Sequence, residues 1–168
     1  MRTALMEPEA AELENGDVFV VWRGSDTPET PGRKWFSLST DGGRTLGPVR
    51  ELAYDDGSRF YSPSSYHRMI RHGVTGRLYW IGNVCAEPPR GNSPRYPLVI
   101  AEVDEILPAL KRGTVSAIDD RRPGQGPEVQ YSNFSLLEDR ETHELELYLT
   151  DYGADPADCH RYRLRFTE

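Results

Sequence analysis

The stretch Ser39-Thr40-Asp41-Gly42-Gly43-Arg44-Thr45-Leu46 decides how this chain reads. It lies between two runs of strand character, Lys34-Trp35-Phe36-Ser37-Leu38-Ser39 and Pro48-Val49-Arg50-Glu51-Leu52. Asp accepts bonds from nearby backbone N–H groups and Gly takes φ > 0 without strain, so an Asp-Gly-Gly insert closes a hairpin. Upstream, Glu14-Asn15-Gly16-Asp17 separates Glu9-Ala10-Ala11-Glu12-Leu13 from Val18-Phe19-Val20-Val21-Trp22-Arg23-Gly24. Asn-Gly between β-capable runs is a second hairpin signal. Residues 25–33, with Pro28 and Pro31, read as a loop. Residues 7–53 are thus predicted to form one four-stranded meander.

The pattern recurs. Residues 62–70 read as a strand, His72-Gly73-Val74-Thr75-Gly76 as a turn, and residues 77–85 as a second strand rich in aromatic and β-branched side chains. A loop over 86–94 carries three prolines and is expected to stand out from the body. A third strand covers 96–103, a short helical turn 105–110, and an outer strand 114–118. After a Pro/Gly linker over 122–127, strands are expected at 132–137, 145–149 and 160–166, and the fourth of that unit is missing.

Three meanders, at 7–53, 60–121 and 129–168, indicate a repeat architecture. Four-stranded meanders of this size are propeller blades. The predicted fold is all-β, a partial β-propeller of about three blades within a single unit over 1–168, half of a six-bladed ring. A β-sandwich is the alternative, but it has no need of units that start alike, as Glu7-Pro8, Ser62-Pro63 and Ser132-Asn133 do. A half ring leaves an open hub and sheet edges, so a homodimer or a separate N-terminal half-propeller is the expected protein partner.

Composition narrows the function. The net charge of the 168 residues is −7, which argues against a nucleic-acid partner. Mean hydropathy is −0.65 and no apolar run approaches the roughly 18 residues of a membrane span, so no membrane association is expected. Fifteen glycines and 13 prolines suit short strands and turns. Cys85 and Cys159 have no zinc-ligand spacing; two free thiols or one bridge both remain open. The four histidines show no ligand spacing either, so neither metal nor cofactor is called for. Residues 1–6 are too short and polar for a signal peptide, and localisation stays open because any signal would precede Met1.

Antiparallel connectivity places the start of a blade's first strand, the end of its second and the start of its third at one rim. By that rule Glu7, Arg23, Ser62, Asn83, Arg95, Ser132, Thr150 and Asp151 share a face, and the Asp41 hairpin lies opposite. Tyr61 and Tyr131 precede inner strands and are expected to line the hub. Two arginines converging on a concave centre suit a carboxylate, because the planar guanidinium gives bidentate, charge-assisted bonds. A surface ion pair of Glu7 with Arg23, with Arg95 as a loop charge, is the competing reading of the same residues. Trp22 and Trp80 could stack on a sugar or pack within blades.

The spelling Ser39-x-Asp41-x-Gly43-x-Thr45 resembles the Asp-box (BNR repeat) of sialidases, or neuraminidases, and related propellers, with Leu46 where an aromatic plug is usual. Glu7-Pro8-x-x-x-Glu12-Leu13-x-x-Gly16 with Arg23 resembles their Glu…Arg segment, and Asn92-Ser93-Pro94-Arg95-Tyr96-Pro97-Leu98 their later Arg-x-x-Leu segment. The resemblance implies a C-terminal half of a retaining exo-α-sialidase-type glycoside hydrolase acting on a terminal sialic-acid-type or other acidic sugar. It implies Arg23 and Arg95 as two of three carboxylate ligands, and Glu7 as the partner of a nucleophilic Tyr, an exception to the two-carboxylate scheme. The first Arg and the acid Asp of that family belong to blades absent from this sequence. Register puts Thr150 and then Asp151 where the family has its Tyr, and Tyr152 two residues on, pointing the same way, is the candidate nucleophile. Tyr61, Asn83 and Asp151 complete the expected sugar contacts. A carbohydrate-binding or scaffolding propeller without the nucleophile is the alternative function.

Overall fold

The computed structural model describes residues 4–166. The first three residues of the N-terminal stretch and the last two of the third unit lie outside it. The described residues contain no α-helix and form three antiparallel sheets. The first is the meander β1 (Leu5–Glu12), β2 (Val18–Gly24), β3 (Arg33–Ser39) and β4 (Arg50–Glu51). The second holds β5 (Arg68–Arg71), β6 (Leu78–Asn83) and β7 (Leu98–Asp104), with β8 (Ala109–Leu110) and β9 (Ser116–Asp119) both pairing β7. The third is β10 (Ser135–Glu138), β11 (Leu145–Thr150) and β12 (Cys159–Leu164).

Strand alternation explains how the sheets stack. Leu78 and Trp80 of β6, with Val99, Ala101 and Val103 of β7, pack with Phe19, Val21 and Phe36 of the first sheet. The intervening Tyr79, Ile81, Leu98 and Ile100 pack with Leu145, Leu147 and Leu149 of the third. Successive side chains point to opposite faces of a strand, so β6 and β7 of the middle sheet are buried on both. Its β6 reads as an unbroken buried run. Gly82 is part of that packing, because a Cβ there would lie 2.5 Å from the Trp80 indole. Three meander sheets packed face after face constitute a partial β-propeller.

The Asp41 hairpin closes through side chains. Asp41 accepts bonds from the Thr45 amide at 2.9 Å, the Thr45 hydroxyl at 2.6 Å and the Ser39 hydroxyl at 2.7 Å. Ser39 Oγ in turn accepts from the Gly43 amide at 2.9 Å. The Thr45 and Ser39 hydroxyls and the Thr45 amide hold the Asp41 carboxyl down at about 2. Gly42 and Gly43 supply φ of 70° and 85°. Leu46 is half exposed and plugs nothing.

Several expectations are corrected. The strand expected over 62–70 is reduced to β5, because Ser62, Ser64, Ser65 and His67 turn into the interior as buried coil. There the carbonyls of Pro63 and Ser65 accept from Lys34 instead of from a neighbouring strand. The helical turn expected over 105–110 is a hairpin turn capped by Asp104, which accepts from the Ile106 and Leu107 amides, and it leads into β8. The 86–94 loop does not stand out. Pro89 is buried against Gly32, and the Gly91 amide donates to Asp26 at 2.6 Å. Both cysteines are free thiols, Cys85 buried and Cys159 exposed.

Gly82→Ala is expected to destabilise the fold by about 1–3 kcal/mol, since the added methyl meets a packed indole ring. Urea unfolding followed by Trp fluorescence checks it; an unchanged midpoint would mean that the indole has room to move.

Candidate functional site

The β1–β2–β3 register brings Met6, Arg23 and Lys34 into one row across the first sheet. Glu7 follows Met6 at a bulge and holds φ of +48°. A non-glycine residue in that region costs on the order of 1–2 kcal/mol and persists only when its surroundings hold it there. The hold is visible: Glu7 Oε1 lies 2.7 Å from Arg23 Nη2. Arg23 also donates through Nη1 to the Ser64 carbonyl at 2.9 Å.

Arg95 enters from the pinned 86–95 loop. Its Nε donates to the Asn92 carbonyl at 3.0 Å. Desolvation, and then the neighbouring charge of Arg23, push its pKa below the ordinary arginine value, with Glu7 acting in the opposite sense. Glu7, Arg23 and Arg95 are therefore brought together.

Lys34 is the residue that sequence reasoning missed. It is wholly buried and stands directly opposite Arg23 in the β2–β3 ladder. Its Nζ donates to the Pro63 carbonyl at 2.9 Å and the Ser65 carbonyl at 2.8 Å. Burial above all, then Arg23, lowers its pKa to about 7, with Arg95 adding to the effect and Cys85 and Glu7 opposing it. Three basic groups thus converge with one carboxylate, in a chain of net charge −7. Strand parity carried the signal: Lys34 shares its face with Phe36 and Leu38, the core side of β3. Beneath it His67, also buried, meets the Val21 carbonyl through Nε2 at 3.2 Å. Burial and then Lys34 lower its pKa to about 3.

The remaining expected site residues are placed differently. Asn83 is fully buried, and its amide donates to the Pro97 carbonyl at 3.1 Å and the Tyr131 carbonyl at 3.0 Å, fastening the second sheet to the third. Asp151 is buried too, accepting from the Asp158 amide at 2.6 Å with His160 Nε2 at 3.1 Å. Burial would raise its pKa, but those two neighbours outweigh it and leave the carboxyl below its ordinary value. Tyr61 lies against the Arg33 guanidinium, 4.3 Å from ring centroid to Cζ. Tyr131 is buried and donates its hydroxyl to Gln125.

Tyr152 is 70% exposed and lines an open cavity of about 280 Å³ with Gln130, Ser132, Asn133 and Thr150. Its backbone bridges to Gln130, which bridges in turn to Arg95. Tyr152 thus stands two chain spacings from Arg95, about 10 Å on the same rim. Among the described residues no hydrogen bond joins its hydroxyl to Glu7 or to any other carboxylate.

No family model matches the sequence, and the search of curated proteins returns no match. Among solved structures, the chain is similar to a mutant of NanB sialidase from Streptococcus pneumoniae, with a TM-score of 0.58 and 18% identity over 88% of this chain. It spans 20% of that protein. A glycoside hydrolase family 43 protein, YxiA, from Bacillus licheniformis gives a TM-score of 0.48 and 16% identity over 95% of this chain and 36% of its own. The first likeness establishes the propeller-type fold.

His67 sets an acid limit. Its folded pKa lies below the unfolded value, so the stability it contributes is full above about pH 6.5 and is lost as pH falls towards about 3. Wild-type stability is expected to fall by on the order of 3 kcal/mol more than that of His67→Gln between about pH 6.5 and about pH 4. Urea unfolding at the two pH values checks this; parallel losses would clear His67 of the role.

Proposed function

We propose that this chain is the carboxylate-binding part of a sialidase-like glycoside hydrolase acting on a terminal, carboxylate-bearing sugar. One observation carries the reading: Arg23, ion-paired with Glu7 at 2.7 Å, converges with Arg95 over buried Lys34, with Glu7 as the one carboxylate acting on the cluster among the described residues. Like charges this close repel, and an anion in bidentate contact with the guanidinium groups offsets that cost. The strained Glu7 backbone supports a functional position, since such strain clusters at binding and catalytic sites. The fold likeness to a protein described as a sialidase agrees with this, and the polar cavity beside Tyr152 has room for the rest of the sugar.

A second reading is favoured by Tyr152 itself. A tyrosine has a pKa near 10 and needs an adjacent base to attack at neutral pH. Among the described residues no carboxylate is hydrogen-bonded to the Tyr152 hydroxyl, and Thr150, Gln130 and Asn133, which share its cavity, are neutral. A carbohydrate-binding or scaffolding propeller, closed by a second copy or by a separate N-terminal half, keeps the anion site without the nucleophile.

Calorimetric titration with N-acetylneuraminic acid tests the first reading. Binding is expected, weakened about ten- to a hundredfold by Arg23→Gln or Arg95→Gln, the size of a lost charge-assisted bond. No binding, or binding indifferent to both substitutions, overturns it. Release of the aglycone from a fluorogenic sialoside separates hydrolase from binder.

A further inference from the structure

The geometry points to Lys34 as the positioning residue of the anion site, a buried ammonium that fixes Arg23 from below and whose protonation is coupled to anion binding. The inference rests on the anion-site reading above and deepens it.

Three consecutive carbonyls carry the argument. Pro63 and Ser65 accept from Lys34 Nζ, and Ser64 between them accepts from Arg23 Nη1. The two cations therefore grip one buried tripeptide from neighbouring strands. The Ser64 and Ser65 hydroxyls lie inside without a hydrogen-bond partner, so the segment meets Arg23 and Lys34 through its carbonyls, while the Ser64 amide donates to the Gly91 carbonyl of the Arg95 loop at 2.9 Å. Removing the ammonium frees the carbonyls on either side of the one that orients Arg23.

The charge arrangement adds a second consequence. Cross-strand partners on one face lie about 5 Å apart at Cβ, and like charges in that position are destabilising. Arg23 and Lys34 occupy such a pair. The titratable and charged groups facing Lys34 come from every neighbouring element: Glu7 of β1, Arg23 of β2, His67 before β5, Cys85 after β6 and Arg95 before β7. A guanidinium does not deprotonate in proteins. Burial raises the Cys85 thiol to about 11 and His67 is held down to about 3, so neither changes charge near neutrality. Lys34, at about 7, does.

An anion against Arg23 and Arg95 favours the charged ammonium. Affinity is therefore greatest below about pH 7 and falls as Lys34 loses its proton above it. The proton taken up on binding comes from solvent and forms the third N–H bond of the ammonium; no other covalent bond changes.

The test is titration of the whole chain with sulfate and, separately, with N-acetylneuraminic acid, from about pH 6 to about pH 9. Wild type is expected to lose about tenfold in affinity over that range. Lys34→Met should bind about tenfold more weakly at the acid end, with a flat profile. Lys34→Arg should restore the acid-end affinity and keep the flat profile, which loss of packing alone would not produce.

Binding of both anions with wild-type affinity and slope in Lys34→Met overturns the role of Lys34 and leaves the anion site standing. Binding of sulfate alone, with the expected slope, supports Lys34 and overturns the acidic-sugar reading. Binding of neither overturns both. Should the variants fail to fold, proton uptake by wild type decides, measured in two buffers of different ionisation enthalpy. A fraction of a proton taken up near neutral pH is expected, and zero uptake overturns the proposal.

Discussion

The inner strands of the middle sheet, β6 and β7, have no solvent face, and this constraint organises the rest. With Leu78 and Trp80 turned to one neighbour and Tyr79 and Ile81 to the other, β6 cannot be lifted from either side without exposing an apolar layer. Each large side chain so buried contributes on the order of 2 kcal/mol. The two outer sheets are therefore held against a common partner, and the loops leaving the ends of β6 and β7 are carried to fixed places. Arg95 is one such passenger, reaching the first sheet because its loop is tied to Gly32, Asp26 and Ser64.

At that rim the polar interior behaves unlike the rest. Elsewhere cations meet acids across the surface, as Arg112 meets Asp56 at 2.7 Å. Exposed pairs of this kind contribute little to stability. Under Arg23 the arrangement is reversed, with a second cation in the adjacent strand position and two carbonyl oxygens as its hydrogen-bond partners. Such an arrangement lowers stability in the free protein, and its retention is intelligible where an anion relieves it.

Much of this fold is legible in the sequence. Hairpin signals at Asn15-Gly16 and Asp41-Gly42-Gly43 and the aromatic, β-branched run of β6 locate three meander sheets, because turn chemistry and alternation are local properties. The strand expected over 62–70 begins only at Arg68 for the same reason, since residues 62–67 depend on a distant contact. Their backbone partner is a lysine side chain from another sheet, a long-range contact that no local pattern announces. Glu7, Arg23 and Arg95 gather because connectivity alone fixes which strand ends share a rim. Asn83 and Asp151 share that rim too, yet both are turned inward, where two carbonyls claim the Asn83 amide nitrogen and the Asp158 amide and His160 claim the Asp151 carboxylate. Rim position follows from topology; depth follows from packing.

The outer margin of β12 has no strand beside it among the described residues, and its composition bears on what can settle there. Arg161, Arg163 and Arg165 alternate along one side, each reaching back to Glu144 or Glu146. A second copy of the same strand laid alongside would bring guanidinium against guanidinium at every other position. Lateral growth into ribbons is thereby discouraged, while a strand bearing acids at matching intervals would be welcomed.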